Sequence, residues 1–140
     1  MPLLGFTVFK DKILNETKRQ TIRKLRKRPI KEGDILHLYW KLRTKQCEKL
    51  GHAFCTEHFL IYMTKDVSPF KTTYRLYLKE DDGQLIPIST TKWVDIAKRD
   101  GFKDDLEMFQ WFDKRLPNIF EVIRWGNLFG KKSELLEANR

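Results

Sequence analysis

The sequence has few of the features that cross-link secreted proteins or anchor proteins in membranes. It contains two cysteines, Cys47 and Cys55, too few for a disulfide framework. No apolar run approaches the roughly 18 residues of a membrane span, and the N-terminus lacks the pattern of a signal peptide. We therefore expect a cytoplasmic protein with reduced thiols and no membrane association.

Repeats and low-complexity linkers are also missing from the 140 residues. A chain of this length buries roughly two thirds of the surface that its unfolded form exposes, so one core suffices. Its 41% hydrophobic and 13% aromatic content is typical of a globular protein. We predict a single domain over residues 1–126 and a C-terminal tail over 127–140, with a monomer favoured.

Acidic residues are missing from one stretch, residues 18–31, which we call the basic stretch. It holds eight Lys or Arg and so carries +8 of the formal net charge of +9, whereas the remaining residues have 20 basic against 19 acidic side chains. Like charges at this density repel one another and favour an anionic partner. The alternative interpretation is a solvated basic face without a ligand.

Three apolar side chains interrupt the basic stretch and are expected to anchor it, namely Ile22, Leu25 and Ile30. Around Ile22 the pattern predicts a short strand in which Thr21 and Arg23 share the face opposite Ile22. A hydroxyl and a guanidinium would then lie side by side on an exposed surface. This arrangement suits an anion or a nucleotide.

Alternating and β-branched residues predict most of the strands, with turns between them. The predicted strands cover residues 3–9, 21–23, 35–40, 53–63, 71–78, 85–88 and 120–125. A short helix is expected over 11–17, a turn at 31–34 and a polar loop over 44–51. One later helix begins at Ser89, Thr90 or Thr91 and ends at Gly101, and a second begins with Asp104 and Glu107 and is closed by Pro117. This order favours an α+β fold, either a curled sheet or a small β-barrel of about five to six strands, with two to three helices packed at its side.

Two further groups of residues allow a functional and a structural interpretation. The ligand types Cys47, His52, Cys55 and His58 lie close in sequence, but on a strand the two histidines share a face opposite Cys55, so we expect no metal and no cofactor. The late aromatic residues have the spacing of a helix-on-sheet core, although one at the rim would suit stacking on a base. These are Trp93, Phe102, Phe109, Trp111, Phe112, Phe120 and Trp125.

The segment Asp100-Gly101-Phe102 follows the first late helix. A carboxylate at a helix C-terminus is unfavourable unless a cation lies near, and the basic stretch is the expected source of that cation.

Together, the run Lys18-Arg19-Gln20-Thr21-Ile22-Arg23, the Gly33-Asp34 turn before an apolar strand and the late Asp100-Gly101-Phe102 resemble the activating-signal-cointegrator homology (ASCH) family over residues 3–125. The resemblance implies a PUA-like β-barrel and RNA or nucleotide ligands. Some small bacterial members of the family are amidohydrolases that remove the acetyl group of N4-acetylcytidine with a Lys, a Thr and a Glu.

The resemblance places the family's catalytic set on Lys18, Thr21 and Asp100, with a shorter carboxylate at the last position, and matches Arg23 to the family's Arg. In such a set Lys18, whose neutral amine is favoured by neighbouring positive charges, would activate the Thr21 hydroxyl for attack. Asp100 would protonate the leaving amine, and Arg23 or backbone donors would hold the oxyanion.

We therefore predict an RNA- or nucleotide-binding ASCH protein with a basic cleft, an amidohydrolase of an acylated nucleoside as one alternative, and a basic adaptor for an acidic protein surface as another. The basic side chains assigned to nucleic acid are Lys18, Arg19, Arg23, Lys24, Arg26, Lys27 and Arg28. Of these, Arg26, Lys27 and Arg28 are expected to be solvated.

Overall fold

The structure is a computed structural model that describes residues 2–130. These residues form an α+β fold, which confirms the predicted class. The strands are β1 (Leu3–Phe6), β2 (Gln20–Lys24), β3 (Ile35–Trp40), β4 (Glu48–Val67), β5 (Thr72–Lys79), β6 (Leu85–Pro87) and β7 (Asn118–Trp125). The helices are α1 (Lys10–Leu14), α2 (Thr90–Arg99) and α3 (Asp105–Phe112), and a 3₁₀ turn covers Asp113–Arg115.

The seven strands belong to one mixed sheet. β1 pairs with β3 in parallel, and β3–β4, β4–β5 and β5–β6 pair antiparallel. β7 pairs with both β2 and β4. Within residues 2–130 the hydrogen-bonded order does not close on itself, so the predicted barrel is not shown.

The described residues divide into two compact units. The first unit comprises residues 2–20, 30–58 and 123–130, and the second comprises 21–29 and 59–122. The core of the first unit is formed by Leu4, Phe6, Ile13, Ile30, Leu36, Leu38, Leu50, Ala53, Cys55, Ile123, Trp125 and Leu128. Buried apolar residues of the second unit are Ile22, Ile61, Met63, Leu76, Ile96, Ala97, Phe102, Met108, Phe109, Phe112, Phe120 and Val122.

Three local predictions were wrong. The predicted loop over 44–51 is shorter because β4 already begins at Glu48 and buries Leu50. The first helix ends at Leu14 because Glu16 adopts a left-handed backbone conformation with φ of 64°. Leu25 is 45% exposed, because β2 ends at Lys24 and Leu25 lies beyond it.

The predicted tail begins with residues that contact the first unit. Leu128 is buried in that unit's core, and the Phe129 amide donates to the His52 carbonyl at 2.8 Å while the His52 amide donates to the Phe129 carbonyl at 2.9 Å. The rest of the predicted tail, from residue 131, lies outside the described residues. Of the helices in the described part of the chain, none is long and apolar enough to cross a membrane.

One face of the β4–β5 pair in the second unit is covered by α3 and the 3₁₀ turn. The Tyr74 ring stacks on Phe109 at 4.9 Å between centroids and 6° between planes. Its hydroxyl donates to Asp113 Oδ1 at 2.8 Å, and Lys65 Nζ donates to Asp113 Oδ2 at 3.2 Å. Tyr74 and Leu76 share this face, as the alternation of β5 predicts.

We predict that Tyr74→Phe reduces the pH dependence of stability while keeping the ring stack. The hydrogen bond from Tyr74, followed by that from Lys65, lowers the pKa of Asp113, and the same Tyr74 bond raises the pKa of Tyr74. A lowered carboxyl pKa stabilises the fold above its unfolded value, and this contribution is lost as the pH falls through the folded pKa. A raised Tyr pKa stabilises below the unfolded value and is lost as the pH rises.

Urea unfolding from about pH 7 to about pH 2 measures the acid limb of this dependence. The wild type should lose more stability than Tyr74→Phe over that range. Tyr39→Phe, a partly buried β3 tyrosine, is the control and should keep the wild-type slope. Equal slopes for wild type and Tyr74→Phe would contradict the assignment.

Candidate functional site

Strand β2 places Thr21 and Arg23 on one face of the second unit. Thr21 is buried and Arg23 is partly buried, and Arg23 Nε donates to Thr21 Oγ1 at 3.1 Å. The hydroxyl and the guanidinium lie side by side, as predicted, but the prediction that they lie on an exposed surface was wrong, because Thr21 is buried. Among the described residues, this is the hydrogen bond that engages the Thr21 hydroxyl.

Asp100 is held at the end of α2 by a Schellman motif. The Gly101 amide donates to the Lys98 carbonyl and the Phe102 amide to the Ala97 carbonyl, both at 3.0 Å. Gly101 has φ of 106°, a left-handed value that glycine adopts without a steric penalty. This turn buries Phe102 and fixes Asp100, which is 5% exposed, as the helix C-cap.

Arg23 is the cation that the Asp100 carboxylate requires. Burial, and after it the positive charge of Arg26, lowers the pKa of Arg23, the nearby carboxylates of Asp100 and Glu121 act in the opposite direction, and the net result is a pKa of about 10. Arg23 therefore remains a cation near neutral pH. We call Thr21, Arg23, Arg26, Asp100 and Glu121 the Arg23 cluster.

Glu121 is the member of the cluster that our sequence reasoning missed. It lies in β7, is completely buried, and its Oε2 accepts a hydrogen bond from the Arg26 amide at 3.3 Å. Its Oε1 is 3.7 Å from Arg26 Nε. The signal was present in the sequence, because Glu121 is the single charged residue in the apolar run over 119–123.

The contact with Glu121 corrects the prediction that Arg26 is solvated. A buried carboxylate needs a cation and hydrogen bonds; the Arg26 guanidinium supplies the charge, and its backbone amide donates a hydrogen bond. Lys27 and Arg28 are exposed, as predicted.

The side chains of the basic stretch lie in different environments. Arg19 forms an ion pair with Glu16 at 3.6 Å. Lys18 belongs to the first unit and is buried, with its Nζ 5.4 Å from the centroid of the Phe9 ring and 5.8 Å from that of Phe6. The exposed cations are Arg19, Lys24, Lys27, Arg28 and Lys31.

Of the three predicted catalytic residues, Thr21 and Asp100 both contribute to the surroundings of Arg23 in the second unit. Lys18 lies in the first unit, where its ammonium group is near the rings of Phe6 and Phe9. The cluster itself combines two guanidinium groups, two carboxylates and one hydroxyl. Such a set can both donate and accept hydrogen bonds.

An aromatic ring is available next to the segment that carries Asp100. Phe102 lies 6.2 Å from Trp111, centroid to centroid, and Trp111 is 51% exposed. Most of the aromatic residues predicted to pack in the core are buried, namely Phe102, Phe109, Phe112, Phe120 and Trp125. Trp111 is instead half exposed.

The Cys and His residues considered for a metal are spread over different environments. Cys47 is exposed and Cys55 is buried, while His52 and His58 are partly buried. Residues 2–130 contain no group of three His, Cys, Asp or Glu side chains arranged to hold a metal ion.

We predict that Glu121→Gln lowers the free energy of unfolding by about 1.5–3 kcal/mol, because it removes the charge that offsets Arg23 and Arg26. The matched control is Glu57→Gln, which removes an exposed carboxylate paired with Arg124 at 3.4 Å and should change stability by less than about 1 kcal/mol. Denaturant unfolding measures both variants. Equal stabilities for the two would contradict a structural role for the Glu121 charge.

Comparison with known proteins assigns no family to this chain. The chain matches no protein family, and neither a curated protein nor a solved structure is significantly similar to it.

Proposed function

We propose that this protein binds RNA or a nucleotide, with a base at the Arg23 cluster and phosphates at the exposed cations of the basic stretch. The observation that carries the proposal is the partly buried Arg23 guanidinium between the Thr21 hydroxyl and the carboxylates of Asp100 and Glu121. We also propose that the chain belongs to the ASCH family and that its sheet forms a PUA-like barrel.

The charge balance of the cluster favours a base over a phosphate as its ligand. Its two guanidinium groups are offset by two carboxylates, so a phosphate would meet repulsion from Asp100 and Glu121. A base edge is neutral and presents both donors and acceptors, which pair with carboxylate and guanidinium groups respectively. The half-exposed Trp111 offers a ring on which a base can stack.

The phosphates are then assigned to side chains outside the cluster. Lys24, Lys27, Arg28 and Lys31 are exposed; Lys24 is the last residue of β2, and the other three lie within the seven residues after it. A flexible, solvated cation binds phosphate through charge and needs no fixed geometry. Such cations would also bind an acidic protein surface. The binding assays must therefore distinguish the adaptor function from RNA binding.

An amidohydrolase is the second candidate, and the presence of both Thr21 and Asp100 around Arg23 favours it. Thr21 Oγ1 would attack the acyl carbonyl carbon while Lys18, as a neutral amine, takes its proton. Arg23 would stabilise the oxyanion, and Asp100 in its protonated form would give a proton to the leaving amine as the C–N bond breaks. Water, deprotonated by the Asp100 carboxylate, would then cleave the acyl-threonine ester and release the acid, while Lys18 returns its proton to Thr21 Oγ1. However, Arg23 donates to Oγ1 in this structure, which occupies a lone pair of the attacking atom. For this reason we rank binding first.

We predict that affinity for single-stranded RNA falls steeply with salt, with a log-log slope of about −3 if four phosphates are engaged. Replacing Lys24, Lys27 and Arg28 with Ser should flatten the slope by about 2, since each lost phosphate contact contributes about 0.7. The matched control replaces the exposed residues Lys45, Lys98 and Lys103 with Ser and should leave the slope unchanged.

Fluorescence anisotropy over a salt series gives these slopes. A wild type whose affinity ignores salt, or a basic-stretch variant that binds like the control, rules out the phosphate assignment. An acidic peptide that competes with RNA at equal charge and binds more tightly would favour the adaptor.

A second prediction separates binding from hydrolysis. If the cluster only binds, Arg23→Met weakens nucleotide affinity by about 1–3 kcal/mol, Thr21→Ala has a smaller effect, and the wild type shows no turnover. If it hydrolyses N4-acetylcytidine, Thr21→Ala and Lys18→Met each lower kcat by several powers of ten, because nucleophile and base act as a unit. Asp100→Glu would keep or raise the rate.

Affinity and turnover should be measured on the same purified variants, with unfolding curves to show that each is folded. Turnover by the wild type that survives in Thr21→Ala contradicts both versions. Unchanged affinity in Arg23→Met contradicts the binding site at the cluster.

A further inference from the structure

The β4–β5 pair has a second face, opposite the one that α3 and the 3₁₀ turn cover. Tyr62 pairs with Tyr77 and Thr64 with Arg75 in the antiparallel register. Because side chains alternate along a strand, these residues point away from the face of Tyr74 and Leu76. We call Tyr62, Thr64, Arg75, Tyr77 and Lys79 the tyrosine face.

The two tyrosine rings lie next to each other on adjacent strands. Their centroids are 6.2 Å apart and their planes are inclined by 37°. Both side chains are partly exposed. Within residues 2–130, neither hydroxyl forms a hydrogen bond to another residue. The two side chains contact each other through their rings.

Positive charge accompanies the rings. Arg75 is exposed, and Lys79 is partly exposed one pleat beyond Tyr77 on the same strand. Along the paired segments 60–66 and 73–79, Asp66 is the only acidic residue on this face, and it lies near the hairpin end, opposite Thr73. The part of the face around the rings is therefore cationic.

We propose that the tyrosine face binds single-stranded nucleic acid, with one base stacked on each ring and the phosphates against Arg75 and Lys79. Base–aromatic stacking tolerates any sequence because every base has a π-face, and cations beside the rings follow the backbone. The ring spacing of 6.2 Å exceeds the roughly 3.4 Å between stacked bases, so each ring accepts a base from an unstacked strand. A duplex keeps its bases stacked inside and does not fit this geometry.

The charge of the face identifies nucleic acid as its occupant. A second copy of the same face would bring Arg75 and Lys79 against their own equivalents, which costs free energy through like-charge repulsion. An anionic strand supplies the opposite charge and planar rings together. The tyrosine face shares no residue with the Arg23 cluster or the basic stretch, so this binding surface is independent of the function proposed above.

The test uses the full chain with labelled oligouridylate and oligothymidylate of about ten nucleotides. Tyr62→Leu and Tyr77→Leu keep apolar bulk but lose the ring, so each should weaken binding about 5- to 100-fold. Tyr62→Phe and Tyr77→Phe keep the ring and should bind within about twofold of the wild type. Arg75→Gln should flatten the log-log salt slope by about 0.7.

The matched control is Tyr39→Leu, which removes a partly buried strand tyrosine of the first unit and should leave affinity unchanged. Thermal unfolding shows whether each Leu variant is folded, and Arg75→Gln, whose side chain is exposed, keeps the test decisive if a Leu variant is not, because an unchanged salt slope in that variant contradicts the proposal. Duplex RNA serves as the competitor that should not displace the single strand.

Three outcomes overturn this inference. Leu variants that bind like the wild type contradict it even if the Lys24, Lys27 and Arg28 variant loses affinity, in which case the function proposed above stands. Phe variants that lose affinity as much as Leu variants show that hydroxyls, and not stacking, are used. Leu variants that change the sedimentation coefficient and leave affinity intact identify the face as a contact between copies.

Conversely, if the Leu variants lose binding and the Lys24, Lys27 and Arg28 variant does not, the result supports this surface and contradicts the phosphate assignment in the basic stretch.

Discussion

A fully buried carboxylate, Glu121, sets the arrangement of charges in the second unit. Its charge cannot be buried without a cation and hydrogen bonds, so the chain after β2 must bring the Arg26 amide and side chain to it. Arg23 is near both Glu121 and Asp100 and is thereby kept protonated despite its burial. The cluster is therefore held together by its own charges and hydrogen bonds.

The division of the basic stretch follows from this constraint. A cation that offsets a buried carboxylate is not available to a phosphate without leaving that carboxylate unpaired. Arg26 is consequently a structural residue as well as a charged one, whereas Lys24, Lys27 and Arg28 lie in solvent. Net charge counts these side chains equally, although their environments give them different roles.

Local signals in the sequence predicted the elements that position the site. Helix ends depend on a few neighbouring residues, and so Asp104 was recognised as a cap, which accepts from the Glu107 amide at 2.9 Å, and Gly101 as a terminator. The face shared by Thr21 and Arg23 followed from the period of a strand.

Long-range pairing was beyond the same reasoning. Glu121 and Arg26 are 95 positions apart, and no local pattern joins them. Leu25 has the composition of a core residue, but the end of β2 at Lys24 leaves it exposed. The early start of β4 at Glu48 is likewise set by pairing with Trp40 and not by its own polar residues. In each case a partner distant in sequence decided the outcome.

The alternation of β5 gives one strand two separate tasks. Tyr74 fixes α3 and the 3₁₀ turn to the sheet, while Tyr77, three residues later, faces the other way beside Tyr62. A one-residue insertion or deletion within β5 would exchange the two faces, since the period of a strand is two. The strand would then lose its helix contact and its exposed ring pair in a single step. Length changes in β5 are therefore less tolerable than substitutions, and the evolution of this hairpin is confined to changes that preserve its register.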